Sequence, residues 1–358
     1  MNDSTERQPA RQAAASQAHY LLYQELAREL ADMLHTFGDP QRRLAGQAAT
    51  RAQYANLTTA LDHGLRTGQP IDALIDALDT YLRQSRQHET RRQLLDDAVA
   101  AHAEPAGPDG QIELAFLHEL AGGAALGQRR LNAAEMHFRT AINLLDVAGN
   151  RRRQSALYHQ LARIAHDHKQ YDQAETSYRK ALDIDLTHGD QAGTAITYHQ
   201  LGVLAHDQKH YDQAETSYRK ALDIFLAYDD QHNAASTYGQ LGVLAHDQKH
   251  YDQAQASYPK TLEIHCGCDP GTVSGIAARL GAVLAELGQH REAARILVHV
   301  AVTGHQQTGQ WAVEVLHGLR RERAVIGPGE FTGLVAADLP GDLAGELIAV
   351  IETADTAG

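Results

Sequence analysis

The apolar residues in the middle of the chain follow a helical spacing. Between residues 198 and 205 they fall three or four positions apart, and the same spacing returns between residues 214 and 224. Polar residues around Gln208–His210 separate the two series and mark a turn. The pattern therefore predicts two antiparallel helices joined by a short connection.

This pair of predicted helices recurs along the chain. The segment Gln200–Ala214 returns letter for letter at Gln240–Ala254, an offset of 40 residues. Weaker copies lie near residues 115–154 and, at an offset of 39, around residues 280–293. Because one such unit cannot bury its apolar face alone, successive units are expected to stack. The repeats predict an all-α fold, a right-handed superhelical α-solenoid of antiparallel helix hairpins.

The three central units share a signature: a leucine followed by Ala or Gly on the first helix, then an alanine and a tyrosine on the second. The leucines are Leu161, Leu201 and Leu241, and the alanines are Ala174, Ala214 and Ala254. This arrangement resembles the tetratricopeptide repeat, in the long 40-residue form seen in kinesin light chains and many bacterial regulators. The resemblance implies that the first helices line a concave groove that binds a protein or peptide segment.

The sequence divides into four predicted parts. Residues 1–18 are polar and predict a disordered tail, and residues 19–104 predict degenerate helical hairpins. Residues 105–306 predict an array of about five repeats, and residues 307–358 predict a helical cap on its end. A connector rich in Pro and Gly, Glu104–Gly110, precedes the array.

The stretch 55–100 also resembles, at a few positions, the helical region of bacterial STAND-type, NB-ARC-like regulators. Those regulators contain an ATPase, whereas this sequence has no Gly-x-x-x-x-Gly-Lys-Ser/Thr phosphate loop. The resemblance implies an alternative function, that of a signal-sensing arm acting with a separate STAND-type ATPase or transcription regulator.

The composition and charge of the chain limit the classes of partner it can bind. The chain has 45 acidic against 32 basic residues and a formal net charge of −13, which argues against nucleic acid. No run of apolar residues is long enough to cross a membrane, and no signal-like segment opens the sequence. Only two cysteines are present, so no disulfide framework is expected. These features predict a cytoplasmic protein without a membrane partner.

Three glutamines are the first candidates for ligand binding. Gln160, Gln200 and Gln240 each stand immediately before the signature leucine. In the long-repeat relatives this position usually holds Asn, and the resemblance implies that its amide pairs with the backbone of an extended peptide. Glutamine keeps both the donor and the acceptor on a longer side chain.

Histidines recur beside these glutamines and complete the candidate groove. They could bind a divalent metal, or make ligand affinity depend on pH near the ordinary imidazole pKa of about 6.5. The alternative, which the sequence favours, is that duplication copied whatever polar residue the first unit carried. The further groove candidates are His159, His199, Arg163, His166, His206 and His246.

No other motif requires chemistry. His265, Cys266 and Cys268 lack the second ligand pair of a structural zinc site, so we expect a loop there and no metal. The sequence holds no His-Glu-x-x-His, no Gly-x-Ser-x-Gly and no dinucleotide fingerprint, so neither an enzyme nor a cofactor is expected. Pro259 stands inside a predicted helix, where it predicts a kink or a shortened helix.

The sequence therefore predicts a protein-interaction scaffold that holds a partner segment in the groove of its repeats. Self-association is a further possibility, because a terminal repeat can stack on a copy of itself.

Overall fold

Each repeated segment forms two helices joined by a tight turn. The computed structural model describes residues 3–36, 38–102, 107–265 and 270–353, and these residues form seventeen α-helices, one 3₁₀ turn and no strand. They divide into two compact units, residues 1–184 and 185–358. The predicted all-α fold of successive helix hairpins is confirmed.

The first unit opens with four helices around one apolar core, which includes Leu30, Leu57, Leu74 and Leu95. Two repeat hairpins follow, and the last helix passes the boundary of the unit at Ile184. The helices are α1 (Asp3–His35), α2 (Pro40–Thr67), α3 (Asp72–Gln84), α4 (His88–Ala101), α5 (Gly107–Gly127), α6 (Leu131–Val147), α7 (Gln154–Asp167) and α8 (Tyr171–His188), with the 3₁₀ turn at Arg151–Arg153.

The second unit holds three further hairpins and three closing helices. The closing helices pack on the last hairpin through a core that includes Leu297, Val315, Phe331 and Leu347. The helices are α9 (Gln191–Asp207), α10 (Tyr211–Ala227), α11 (Gln231–Asp247), α12 (Tyr251–His265), α13 (Pro270–Glu286), α14 (His290–Thr308), α15 (Val313–Ile326), α16 (Pro328–Asp338) and α17 (Gly341–Thr353).

The turn inside each hairpin places one residue in the left-handed conformation. Lys209 has φ 60° between α9 and α10, and Lys249 has φ 60° between α11 and α12. In the α13–α14 hairpin the same place holds Gly288, with φ 73°. The next residue closes the turn, since the His210 N–H donates to the carbonyl of Ala205 at 2.8 Å.

The N-terminal segment differs from its prediction. The sequence predicts a disordered tail over residues 1–18, whereas α1 continues back to Asp3. Near residues 17–20 the helix is held by distant contacts: the Gln17 and Gln69 amides exchange hydrogen bonds at 2.9 and 2.6 Å. The hydroxyl of the buried Tyr20 donates to the Pro70 carbonyl at 2.5 Å. Composition could not reveal these contacts, because they join residues about 50 positions apart.

Two further expectations are corrected. Part of the predicted connector, residues 107–110, forms the start of α5, and residues 103–106 lie outside the described part. Helix α12 runs through Pro259 to His265, so the helix does not end at the proline, and the expectation of a shortened helix is corrected. The other expectation, a kink at Pro259, stays a prediction. Proline has no N–H to donate to the carbonyl four residues before it in the helix. Because Pro259 is exposed, water can hydrate that carbonyl instead.

The first unit contains a buried ion pair and a half-buried pair of histidines. The Arg91 guanidinium donates to both carboxylate oxygens of Asp79, at 2.6 and 3.0 Å, and joins α4 to α3. His118 of α5 and His137 of α6 face each other with 2.9 Å between their Nδ1 atoms. Burial lowers the pKa of His118 to about 4, with a smaller contribution from His137.

Within the described residues, no helix combines the length and the apolarity that crossing a membrane requires.

Candidate functional site on the first helices

Two helices of the second unit, α9 and α11, begin with the same kind of side-chain cap. The Asp190 carboxylate accepts the Gly193 N–H at 2.9 Å at the start of α9. The Asp230 carboxylate accepts the Asn233 N–H at 3.1 Å at the start of α11. Side-chain caps of this kind satisfy backbone donors that have no partner inside the helix. The two first helices therefore begin at equivalent positions and present equivalent residues.

Close packing fixes how each first helix faces its second helix. A Cβ atom on Gly202 would lie 2.6 Å from ring carbons of Tyr218. The same relation holds between Gly242 and Tyr258 in the next hairpin, again with 2.6 Å. No side chain fits at these two positions, so the helices approach closely and the neighbouring residues keep a defined direction.

The glutamine amides behave differently in the two units. Gln200 and Gln240, on α9 and α11, are half-buried, and neither side chain forms a hydrogen bond with a described residue. In the first unit, the Gln160 amide oxygen accepts from Nη1 of Arg163 at 3.2 Å. The position of Arg163 holds Val203 and Val243 in the later repeats, which explains why only Gln160 is engaged.

The face around Gln200 and Gln240 also carries an apolar side chain. Ile196 lies one helical turn before Gln200 on α9 and is 41% exposed. Residues four apart lie on the same side of a helix. We call Ile196, Gln200 and Gln240 the first-helix face.

Two of the candidate histidines pack against core tyrosines. His199 contacts the Tyr218 ring, with 5.7 Å between ring centroids, and its Nδ1 lies 3.0 Å from Oγ1 of Thr237 on α11. His159 contacts Tyr178 at 5.2 Å in the same manner in the first unit. Burial lowers the pKa of His199. The pKa of His159 falls to about 4, chiefly through burial and secondarily through Arg163.

The other three histidines lie at the ends of the first helices. His166, His206 and His246 each contact the tyrosine that opens the following helix, with ring centroids 5.9 to 6.0 Å apart. Nε2 of His206 lies 3.0 Å from the Asp247 carboxylate of the next hairpin. Nδ1 of His246 lies 3.6 Å from the same carboxylate. In the second unit the contact of His206 with Asp247 joins the consecutive first helices α9 and α11.

Metal binding finds no support in the described part of the chain, which contains no group of three or more His, Cys, Asp or Glu side chains placed to hold an ion. Cys266 and Cys268 lie outside the described residues, as does the side chain of His265.

Sequence reasoning missed a recurring contact between a lysine and a tyrosine. The ammonium group of Lys180 lies 5.2 Å from the ring centre of Tyr158. The same pairing recurs at 5.1 Å between Lys220 and Tyr198, and at 4.8 Å between Lys260 and Tyr238. Both residue types return at the 40-residue offset, and this recurrence was the available signal. Each pair joins the two helices of one hairpin through a cation–π contact.

The fold and the recurring packing define the class of protein, an all-α repeat protein built of helix hairpins. A family model described as "Tetratricopeptide repeat" matches residues 154–227 and 193–266. Residues 154–266 therefore contain tetratricopeptide repeats, as predicted from the signature. Among curated proteins, none matches the sequence significantly.

Solved structures support the same fold. BtubC (BKLC) from P. vanneervenii matches with a TM-score of 0.54 and 20% identity, over 64% of this chain and 92% of that one. The apo form of RapI matches with a TM-score of 0.62 and 14% identity, over 87% and 85%. At such identities the likeness concerns the fold alone.

A STAND signal-transduction ATPase with a tetratricopeptide repeat sensor, PH0952 from Pyrococcus horikoshii, matches with a TM-score of 0.64 and 14% identity. The match covers 92% of this chain and spans half, 50%, of that protein. At 14% identity this likeness also concerns the fold alone.

Proposed function

We propose that this protein is an interaction scaffold that binds a segment of a partner protein along the first-helix face. The observation that carries the proposal is the state of Gln200 and Gln240, which are half-buried and form no hydrogen bond with described residues. Each amide offers a donor and an acceptor, which match the N–H and C=O groups of an extended peptide. The proposed role is binding and involves no catalysed reaction.

Ile196 gives the first-helix face an apolar contact beside these amides. Its exposed side chain lies one turn from Gln200, so a partner with an apolar residue next to a free backbone segment would satisfy both. Gln160 is already paired with Arg163, so we expect it to contribute less than the other two glutamines.

We also propose that the hairpins from α5 to α14 form the interaction array. In this proposal α15–α17 cap its end, and the helices before α5 form a degenerate extension of it.

The test is quantitative affinity capture from the native cell with the tagged full-length chain, followed by mass spectrometry. The test variant is Gln200→Ala/Gln240→Ala, with Gln160→Ala added in a second version. The matched control is Gln213→Ala/Gln253→Ala, which changes two exposed glutamines at the same 40-residue spacing on the second helices.

We expect at least one protein captured by both wild type and control to fall about tenfold with the test variant, since two hydrogen bonds are lost. That partner is then purified and titrated against the three chains. Equal recovery of every captured protein by the wild type and the test variant would contradict the proposal.

A further inference from the structure

The second unit contains a cavity that the proposed function does not use. Its volume is about 830 Å³, and it lies between α12, α13, α14 and the end of α16. Clefts of about 300 to 1,000 Å³ are the size that holds small molecules. The first-helix face lies on α9 and α11, so the two sites share no residue.

The walls of this cavity are largely apolar. Leu280, Val298 and Val300 form buried parts of the wall, and half-buried aliphatic side chains complete it. The half-buried members are Leu262, Val273, Ile296 and Leu339.

Other clefts between second helices have a different lining. A cavity of about 540 Å³ in the first unit is lined by Glu135, Arg139, Lys180 and further polar side chains. A cavity of about 290 Å³ in the second unit includes Glu215 and Arg219, which pair with each other. The cavity of about 830 Å³ is thus both larger and more apolar than these equivalents.

A glycine leaves room in the large cavity. Gly304 of α14 lines it, and a Cβ atom at that position would meet only Oγ of Ser274, at 3.7 Å. A Cβ atom added at Gly304 would therefore meet only an ordinary van der Waals contact.

Acidic side chains outnumber basic ones in the lining of the cavity. Among the described lining residues, Glu263, Glu292 and Asp338 contribute three carboxylates, against the guanidinium of Arg295 and the imidazole of His299. Nε of Arg295 lies 3.8 Å from the Asp338 carboxylate, so this cation is already partnered. Glu292 forms no ion pair with a described residue. A positively charged group at this edge would complement Glu292.

We propose that this cavity binds a small amphipathic molecule with an apolar body and a cationic head group. The apolar body lies against Leu262, Ile296 and Leu339, and the head group lies at Glu292. Burial of the apolar body supplies most of the binding, and the carboxylate selects the sign of the charge.

The probe for the test is N-phenyl-1-naphthylamine, a neutral apolar dye whose emission rises in apolar surroundings. The dye is titrated into the full chain and then displaced by decylamine, decanol or decanoate, which share one alkyl chain and differ in charge. We expect saturable binding of one dye, and displacement by decylamine at a concentration about tenfold below that of decanoate.

Two variants locate the site. Gly304→Leu fills the cavity and should weaken dye binding at least about tenfold. The control Gly345→Leu, at an exposed position of α17 where no described atom lies within 4 Å of a Cβ, should leave dye binding unchanged. Glu292→Gln should keep dye binding and reduce the preference for decylamine about fivefold.

Two outcomes overturn the proposal. Unchanged dye binding in Gly304→Leu would place the dye elsewhere, and equal displacement by decylamine and decanoate would remove the selection for a cation. Sedimentation with and without the dye tests a second copy of the chain as occupant. If the chain forms a dimer that the dye dissociates, the occupant of the cavity is a second copy of the chain and not a small molecule.

Discussion

Gly202 and Tyr218 approach so closely that a Cβ atom on Gly202 would lie 2.6 Å from ring carbons of Tyr218. We expect Gly202→Ala to lower the free energy of unfolding by about 1 to 2 kcal/mol, because overpacking outweighs the helix propensity that alanine gains. The equivalent pair Ala162 and Tyr178 is buried in the first unit, so a hairpin of this design tolerates a methyl group when its helices are spaced for it.

The matched control for Gly202→Ala is Gly239→Ala in α11. A Cβ there has its nearest contact with Thr261 at 3.7 Å, so alanine should raise the free energy of unfolding by about 0.5 to 1 kcal/mol. Urea denaturation of both variants measures the difference. Equal shifts of the two midpoints in the same direction would show that the Tyr218 contact has no energetic weight.

The hydroxyl of Tyr218 is buried without a hydrogen-bond partner. Removing it with Tyr218→Phe should raise the free energy of unfolding by about 1 kcal/mol, because an unsatisfied polar atom leaves the core. Phe138 already occupies the equivalent place in α6. Tyr258→Phe is the control, since Arg279 hydrogen-bonds that tyrosine and the change should be neutral or destabilising. Lower stability of Tyr218→Phe than of wild type would refute the argument.

The left-handed turn residue Lys209 predicts a second stabilising change. A non-glycine residue at φ 60° is strained, and the α13–α14 hairpin uses Gly288 at this place. Lys209→Gly should raise the thermal midpoint, with a gain of about 0.5 kcal/mol after the entropy of glycine in the unfolded chain is deducted. The reverse change, Gly288→Lys, should lower the midpoint by a similar amount. If both changes shift it the same way, the strain argument fails.

The buried pair of Asp79 and Arg91 predicts an asymmetric double-mutant cycle. Asp79→Ala should cost about 3 to 5 kcal/mol of unfolding free energy, because it leaves the Arg91 guanidinium buried without its counter-ion. Asp79→Leu/Arg91→Met removes both charges and should recover most of the loss. The measurement is the urea midpoint of the single and the double variants. A double variant as unstable as the single variant would contradict the predicted recovery.

The His118–His137 pair predicts that stability falls in acid. Burial lowers the pKa of His118 to about 4 in the folded protein, below the ordinary imidazole pKa of about 6.5. Burial also lowers the pKa of His137, where Asp96 acts in the opposite sense and Arg130 in the same sense. Between about pH 6.5 and pH 4 the unfolded chain therefore binds more protons. The contribution of the pair is complete above about pH 6.5 and is lost as the pH falls towards 4.

Urea midpoints across this range, for wild type and for His118→Gln/His137→Gln, measure the effect. The double variant should lose less stability than wild type as the pH falls, while His159 and His199 still contribute part of the slope because burial lowers their pKa too. An identical pH slope in the two proteins would exclude the pair as its source.

The repeats made most of the fold predictable, because segments of identical sequence adopt the same hairpin. The N-terminal helix was not predictable in this way, since Gln17 and Tyr20 are held by residues near position 70 and nothing local records those contacts.

The candidate site was predictable only in its residue types. The glutamines at 160, 200 and 240 have the same local sequence signal, yet Arg163 engages the first of them and valine leaves the others without that partner. The contact of His206 with Asp247 joins residues 41 apart, close to the 40-residue period, so the repeat indicated that these positions lie on neighbouring hairpins. Which of the recurring acids meets which histidine depends on how the hairpins pack.

The contacts His199–Thr237 and His206–Asp247 each join one hairpin to the next, and both use residues that lie about one period apart. An inserted or deleted copy of forty residues would recreate these same junctions at its edges. The interior can therefore gain or lose whole hairpins without any new interface having to arise, and the length of the proposed partner-binding surface changes in steps of one hairpin.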